Sequence, residues 1–257
     1  MKRLAASFAL SGLLVAAAYG EPIEPIRLAS TAFDEGRYRE AARLAEETGH
    51  ADSYALAARA VLAEVMCGEG DPPEEMLRRA EALAEAALAD DPSHAEGRLQ
   101  LAIAWSLRVR GLSRSAAWRT GLGTEARALV ESVLEDDPDN AFGHGFLAVW
   151  HVEVVRRGGS FGAAMMDASL SEGLAHYAKA AELSPGDASL HWQMARALAA
   201  HNPRRHRDRI ERALAAAAAA TGETALEEVM ARRAAVLGEA LKTLSANDVK
   251  RLAAEML

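Results

Sequence analysis

The chain of 257 residues contains one cysteine, Cys67. A lone thiol excludes an intrachain disulfide and a cysteine-rich zinc site. Its position, far beyond the first twenty residues, also offers no cysteine for lipid attachment at a leader cleavage point. Aromatic residues make up only 5% of the chain. Alternating runs of β-branched residues are missing beyond the N-terminus, so a strand-based fold has little support. None of the eight histidines forms an H-E-x-x-H pair, and no metal or other cofactor is expected. Positive charge is scarce too: 29 Lys and Arg stand against 37 Asp and Glu, a net charge of −8. That balance argues against nonspecific nucleic-acid binding, which needs a basic footprint to displace counterions.

Half of the residues are hydrophobic, with alanine prominent among them, and alanine favours helix because it loses no side-chain entropy there. The first twenty residues read as a signal peptide: Lys2 and Arg3, then an uncharged apolar stretch from Leu4 to Ala18, then small residues at Ala18 and Gly20. Its removal would shift the net charge from −8 to −10, since it carries Lys2, Arg3 and no acid. The apolar run is shorter than the ~20 residues that cross a bilayer, and no later segment is long enough to span one. The expectation is an exported protein, periplasmic in a Gram-negative host, with one domain over 21–257.

Two stretches nearly repeat each other, LADDPSHAEGRLQLAIAW from Leu88 and LEDDPDNAFGHGFLAVWH from Leu134. Shared positions include Leu88/Leu134, Pro92/Pro138, Gly97/Gly143 and Leu101/Leu147. A weaker copy, AELSPGDASLHWQMARAL, places Pro185, Ala188 and Ala195 in register, so the prolines recur after 46 and 47 residues. Each proline should end one helix and open the next. Ser93 with Glu96 reads as a capping box, as do Thr224 with Glu227 and, starting a last helix, Ser245 with Asp248.

Around these prolines the chain resembles the tetratricopeptide repeat, an antiparallel helix pair. Small and bulky second-helix positions fall on Ala80 and Ala84, Ala126 and Val130, and Gly173 and Tyr177. First-helix positions fall on Leu101-Ala102 with Trp105, Leu147-Ala148 with His151, and Met194-Ala195 with Leu198. Leu28-Ala29, Ala32, Gly36, Tyr38 and Ala41 match the motif best. The likeness covers roughly residues 27–215, but its period exceeds the usual ~34 residues by about 12. The surplus lies in CGEGDPPEEM, RVRGLSRSAAWRTGLGT and VRRGGSFGAAMMDAS, as elongated first helices or long loops. The resemblance implies an all-α, right-handed superhelix of about four helix pairs plus C-terminal capping helices. It also implies a partner protein or peptide bound along a concave surface lined by first helices, with His144, His151 and His191 on it and Arg156 and Arg157 at its edge.

Two stretches imitate catalytic motifs. Gly158-Gly159-Ser160-Phe161-Gly162 fits G-x-S-x-G, and Gly121 to Ala126 fits G-x-G-x-x-A. Both motifs need a preceding strand, which is not expected here, so a glycine loop and an N-cap at Thr124 explain them better. Arginine placement carries more weight. Arg108, Arg110, Arg114 and Arg119 occur between Leu107 and Leu122 without an acid, Arg156 and Arg157 precede the glycine loop, and four arginines lie between 204 and 209. If the repeats stack, these loops share one edge and form a basic rim, with Trp105, Trp118, Trp150 and Phe161 near it. Such a rim suits carboxylate or phosphate groups; the competing reading is a solvated surface paired with neighbouring acids. The expected function is non-catalytic binding of a protein or peptide partner. The alternative is a transport-associated receptor for an anionic or amphipathic small ligand, with Trp105, Arg108, Arg110, His144, His151, Arg156, Arg157 and His191 as candidate contacts in either case.

Overall fold

The computed structural model describes residues 24–220, 222 and 224–257. The expected signal peptide lies outside the described residues. Among the described residues every regular element is a helix: α1 Glu24–Asp34, α2 Tyr38–Glu46, α3 Ala51–Cys67, α4 Glu74–Asp90, α5 Ala95–Arg110, α6 Arg114–Thr120, α7 Leu122–Asp136, α8 Ala141–Met165, α9 Leu170–Leu183, α10 Ala188–His201, α11 Arg207–Ala219, α12 Ala225–Thr243 and α13 Ala246–Glu255. None is long and apolar enough to cross a membrane.

The repeated prolines set the joints. Pro92 follows Asp91 in a turn in which the His94 N–H donates to the Asp91 oxygen at 3.0 Å. The same turn recurs from Asp137 to Asn140 at 3.1 Å and from Ser184 to Asp187 at 3.3 Å. Proline suits the second position of such a turn because its φ is already fixed. Its place is therefore before the new helix, not in that helix's first turn. The capping residue stands two positions after each proline: His94, Asn140 and Asp187 accept from the main-chain N–H of Gly97, Gly143 and Leu190. The expected Ser93/Glu96 box is thus replaced, and Ser93 instead donates its hydroxyl to Asp91 at 2.7 Å. The boxes at Thr224 and Ser245 do form their caps.

Helices pair in antiparallel fashion, α1 with α2, α3 with α4, α5 with α7, α8 with α9 and α10 with α11, and each pair packs on the next. Small residues allow the close approach: Ala80, Ala84 and Ala126 are fully buried. A Cβ added at Gly97 would stand 3.2 Å from Leu88 Cδ2, and one at Gly143 would stand 2.9 Å from Leu134 Cδ2. This contact explains why leucine and glycine recur together in the duplicated sentence.

The array closes on itself through its last two helices. α12 packs on α10 and α11 and also reaches α1 and α3, while α13 lies against α10 and α12. Gly36 leaves room for Ala225, whose Cβ would stand 2.8 Å from a Cβ placed there. Leu226 packs against both large apolar clusters, one around Phe33, Leu62 and Leu77, the other around Trp192, Ile210 and Met230. Full burial of a side chain such as Leu62 or Met230 contributes about 2 kcal/mol.

Candidate interaction site

The inner face of the first helices is occupied by the chain's own C-terminal segment. Trp192, on α10 and fully buried, donates from Nε1 to the main-chain oxygen of Leu257 at 3.0 Å. Arg110 donates through Nη2 to the oxygens of Ala254 at 2.7 Å and Met256 at 2.5 Å. Arg233 of α12 reaches Leu257 at 3.0 Å and also holds the oxygens of Met66 and Gly68. These donors satisfy carbonyls that a helix end leaves without partners.

The candidate histidines sit between helices. His151 is 3% exposed and accepts from the Ser169 N–H through Nδ1 at 3.3 Å. Burial, together with the nearby His176 ring and Arg127, holds its pKa below the ordinary histidine value. His191 is also buried, with Tyr177 and Pro185 as its partners at 2.8 and 3.0 Å. His144 meets His176 Nδ1 to Nδ1 at 2.8 Å. Trp105 and Arg108 share the carboxylate of Glu81, at 2.8 and 2.5 Å. Trp150 donates to the Gly123 oxygen. All these side chains fasten one helix to another.

Two of the three surplus stretches, those after Leu107 and after Val154, are tied to each other. Arg157, two residues before a kink of α8 at Gly159, donates to the oxygens of Val109 at 3.0 Å and Leu112 at 2.6 Å, just before α6. At the far end Arg127 holds the Met166 oxygen at 2.7 Å, and Met166 Cε lies 3.4 Å from a Cβ placed on Gly123. Tied at both ends, α6 and residues 158–165 form one border of the molecule. Along it Phe161 is 78%, Met165 57% and Trp118 52% exposed. Arg114 and Arg119 are exposed beside them, and neither segment contains an acid. Glu125 and Asp167 flank the border, Asp167 pairing with Arg127 at 3.7 Å. Of the four aromatics expected near the rim, Trp118 and Phe161 are exposed there, whereas Trp105 and Trp150 are turned into helix contacts.

Neither imitation of a catalytic motif has its required setting. Residues 158–162 lie within α8, kinked where Gly159 takes φ 62°, with helix and not strand before them. Gly121, at φ 72°, precedes α7, and Thr124 is the third residue inside that helix, so the expected cap at Thr124 is not formed. Among the described residues no group of three His, Cys, Asp or Glu is placed to hold a metal.

A thermophilic tetratricopeptide protein of Thermus thermophilus has a similar structure: TM-score 0.56 and 17% identity over 82% of this chain and 96% of that one. The fold is a tetratricopeptide-like solenoid. No family model and no curated protein sequence matches the chain. Within the solenoid, the enlarged repeats project their additions on the side where first helices end. There Arg156, just before the kink of α8, acts electrostatically on His201 at the end of α10.

Proposed function

We propose that the protein is an exported, non-catalytic scaffold that engages a protein partner through the border made by α6 and residues 158–165. The observation that carries this reading is the exposure of Trp118, Phe161 and Met165 on a border whose charged residues, Arg114 and Arg119, are all cationic. Exposed large apolar side chains beside charge are a feature of interaction sites, and tryptophan and arginine are enriched at their energetic centres. Tetratricopeptide proteins as a family bind partners, which agrees with this use. The inner face, filled by α12, α13 and the residues after them, supports moving the contact outward from His144, His151 and His191. Arg156 and Arg157 then support the border from beneath. Export rests on the sequence of residues 1–20.

The test is photo-crosslinking. A photoreactive amino acid at position 118 or 161 should capture a discrete partner in envelope extract, whereas one at Arg78 on α4 should not. Equal capture at all three positions, or none at any, defeats the reading.

A second reading, a receptor for a small anionic or amphipathic ligand, is favoured by the surplus of arginine around a single carboxylate, Glu153.

A further inference from the structure

Glu153 of α8 lies among arginines from three helices. Arg156 donates to it from Nε at 2.7 Å and Arg196 of α10 from Nη2 at 3.2 Å. Arg110 at the end of α5 acts electrostatically on the same carboxylate. So does Arg157, which in turn feels Arg114 of α6. Four guanidinium groups therefore share one carboxylate, in a chain whose net charge is negative. His201 and Lys250 stand close enough to interact and add no acid. The other acceptors facing the cluster among the described residues are neutral: the main-chain oxygens of residues 253, 254 and 256, those of Val109 and Leu112, and the side-chain oxygen of Gln193.

Donor capacity remains after these contacts. Arg110 uses only Nη2, and its Nε and Nη1 have no acceptor among the described residues. Arg156 directs Nε and Nη2 to Glu153, leaving Nη1, and Arg157 spends both terminal nitrogens on the end of α5, leaving Nε. Three cations on two helices thus keep N–H groups for a further acceptor. Arg196, Arg156 and Arg157 each act on Arg110 as like charges, and a half-buried setting screens their repulsion poorly. Burial first, then Arg196, lowers the Arg110 pKa to about 10, so the group stays charged at neutral pH but is held at a cost.

We propose that Arg110, Arg156 and Arg157 form a binding site for a small oxyanion, a carboxylate or phosphate group of a low-molecular-weight ligand. The site rests on the small-ligand reading above; because Arg157 also holds the chain just before α6, crosslinking at positions 118 and 161 is carried out on the otherwise unsubstituted chain. Guanidinium groups offer paired N–H donors matched to two oxygens of such a group, and its charge would relieve their mutual repulsion.

Isothermal titration of the full chain with citrate and, separately, with inorganic phosphate, at ionic strength held constant with sodium chloride, tests the site. Saturable binding of one or both is expected, and the preferred anion identifies carboxylate or phosphate as the natural group. Arg110→Gln and Arg157→Gln should each weaken it about tenfold or more, and Arg78→Gln should not. Arg110→Gln also releases the Ala254 and Met256 oxygens, so circular dichroism must show it folded; if it is not, Arg157→Gln decides alone. Absence of saturable heat for both anions, or unchanged affinity in a folded arginine variant, overturns the site. Crosslinks at positions 118 and 161 would be untouched by that result, and their absence would leave these titrations unaffected.

Discussion

His144 donates from Nε2 to the main-chain oxygen of Pro138, six residues before it, at 3.0 Å. His191 stands in the same relation to Pro185 at 3.0 Å, and Arg98 to Pro92 at 3.2 and 3.1 Å from Nε and Nη2. In three successive repeats one side chain therefore secures the turn that begins the next pair. A carbonyl acceptor fixes both histidines as Nε2–H tautomers, which leaves Nδ1 for His176 and Tyr177.

Removing that donor should loosen the joint without changing the fold. His191→Leu strands the Pro185 oxygen and the Tyr177 hydroxyl, and the expected loss is about 2 kcal/mol. His144→Leu should cost less, about 1 kcal/mol, because its surroundings are more open to water. Urea denaturation monitored by circular dichroism measures both. A smaller loss for His191→Leu than for His144→Leu contradicts this account.

The turns were legible in the sequence because their chemistry is local: Asp or Ser, then proline, between two helical stretches. Two details were misplaced: the proline stands before the new helix and not in its first turn, and the cap is His94 and not Ser93, which has the better cap propensity but not the position. Pairing of helices followed from the small residues Ala80, Ala126 and Gly173. Closure of the array did not follow, because the Arg233 contacts with Met66 and Gly68 join positions more than 160 residues apart with no periodic trace. The arginine runs were visible as charge, yet whether each one meets a carboxylate, a carbonyl or solvent depends on tertiary packing: Arg108 on Glu81, Arg157 on Leu112, Arg110 on the C-terminal segment. The histidines were placed on a concave binding surface, whereas they are packed against neighbouring helices and hydrogen-bonded within the chain.

Gly173 and Gly162 should respond in opposite ways to alanine. A Cβ at Gly173 would lie 3.0 Å from the Ala148 oxygen and 3.1 Å from His151 Cβ, both held by helix α8. Gly173→Ala must push α9 from α8, at about 1–3 kcal/mol. A Cβ at Gly162 meets nothing within 4 Å. Gly162→Ala should then be neutral or stabilising by up to about 1 kcal/mol through helix propensity. Thermal melts of the two variants side by side check the contrast.

Acid should destabilise the fold before most carboxylates titrate. Burial, the largest cause in each case, lowers the pKa values of His151, His176 and His201 below 6.5, and that of His206 to about 4. His201 and His206 meet ring nitrogen to ring nitrogen at 3.0 Å, a contact that holds one proton. The folded state thus binds fewer protons than the unfolded one below the unfolded value. Stability from these groups is complete above pH 6.5 and falls as pH drops through it toward the folded values. For His206 the loss at pH 5 is of order 2 kcal/mol, about 4–8 °C in Tm for a chain of this size. Melts from pH 7.5 to 5 should show the decline, with a shallower slope in His206→Gln; an identical slope assigns the titration to other groups.

Glu153→Gln should be the most damaging single change considered. Burial alone would raise the Glu153 pKa, but Arg196, Arg156 and Arg110 outweigh it and hold the carboxyl below its ordinary value. Arg196 is only 3% exposed, and burial lowers its own pKa. Glutamine keeps one acceptor and removes the only countercharge to Arg196 among the described residues, leaving a buried cation unpaired at a cost of about 3–5 kcal/mol, near 10 °C in Tm. If the cost lies in that unpaired charge and not in lost packing, Arg196→Met added to Glu153→Gln should recover part of the loss. A double variant as unstable as the sum of the two singles would show instead that the ion pair itself, through the Gln193 and Ala253 contacts of Arg196, holds α10 against α8 and α13.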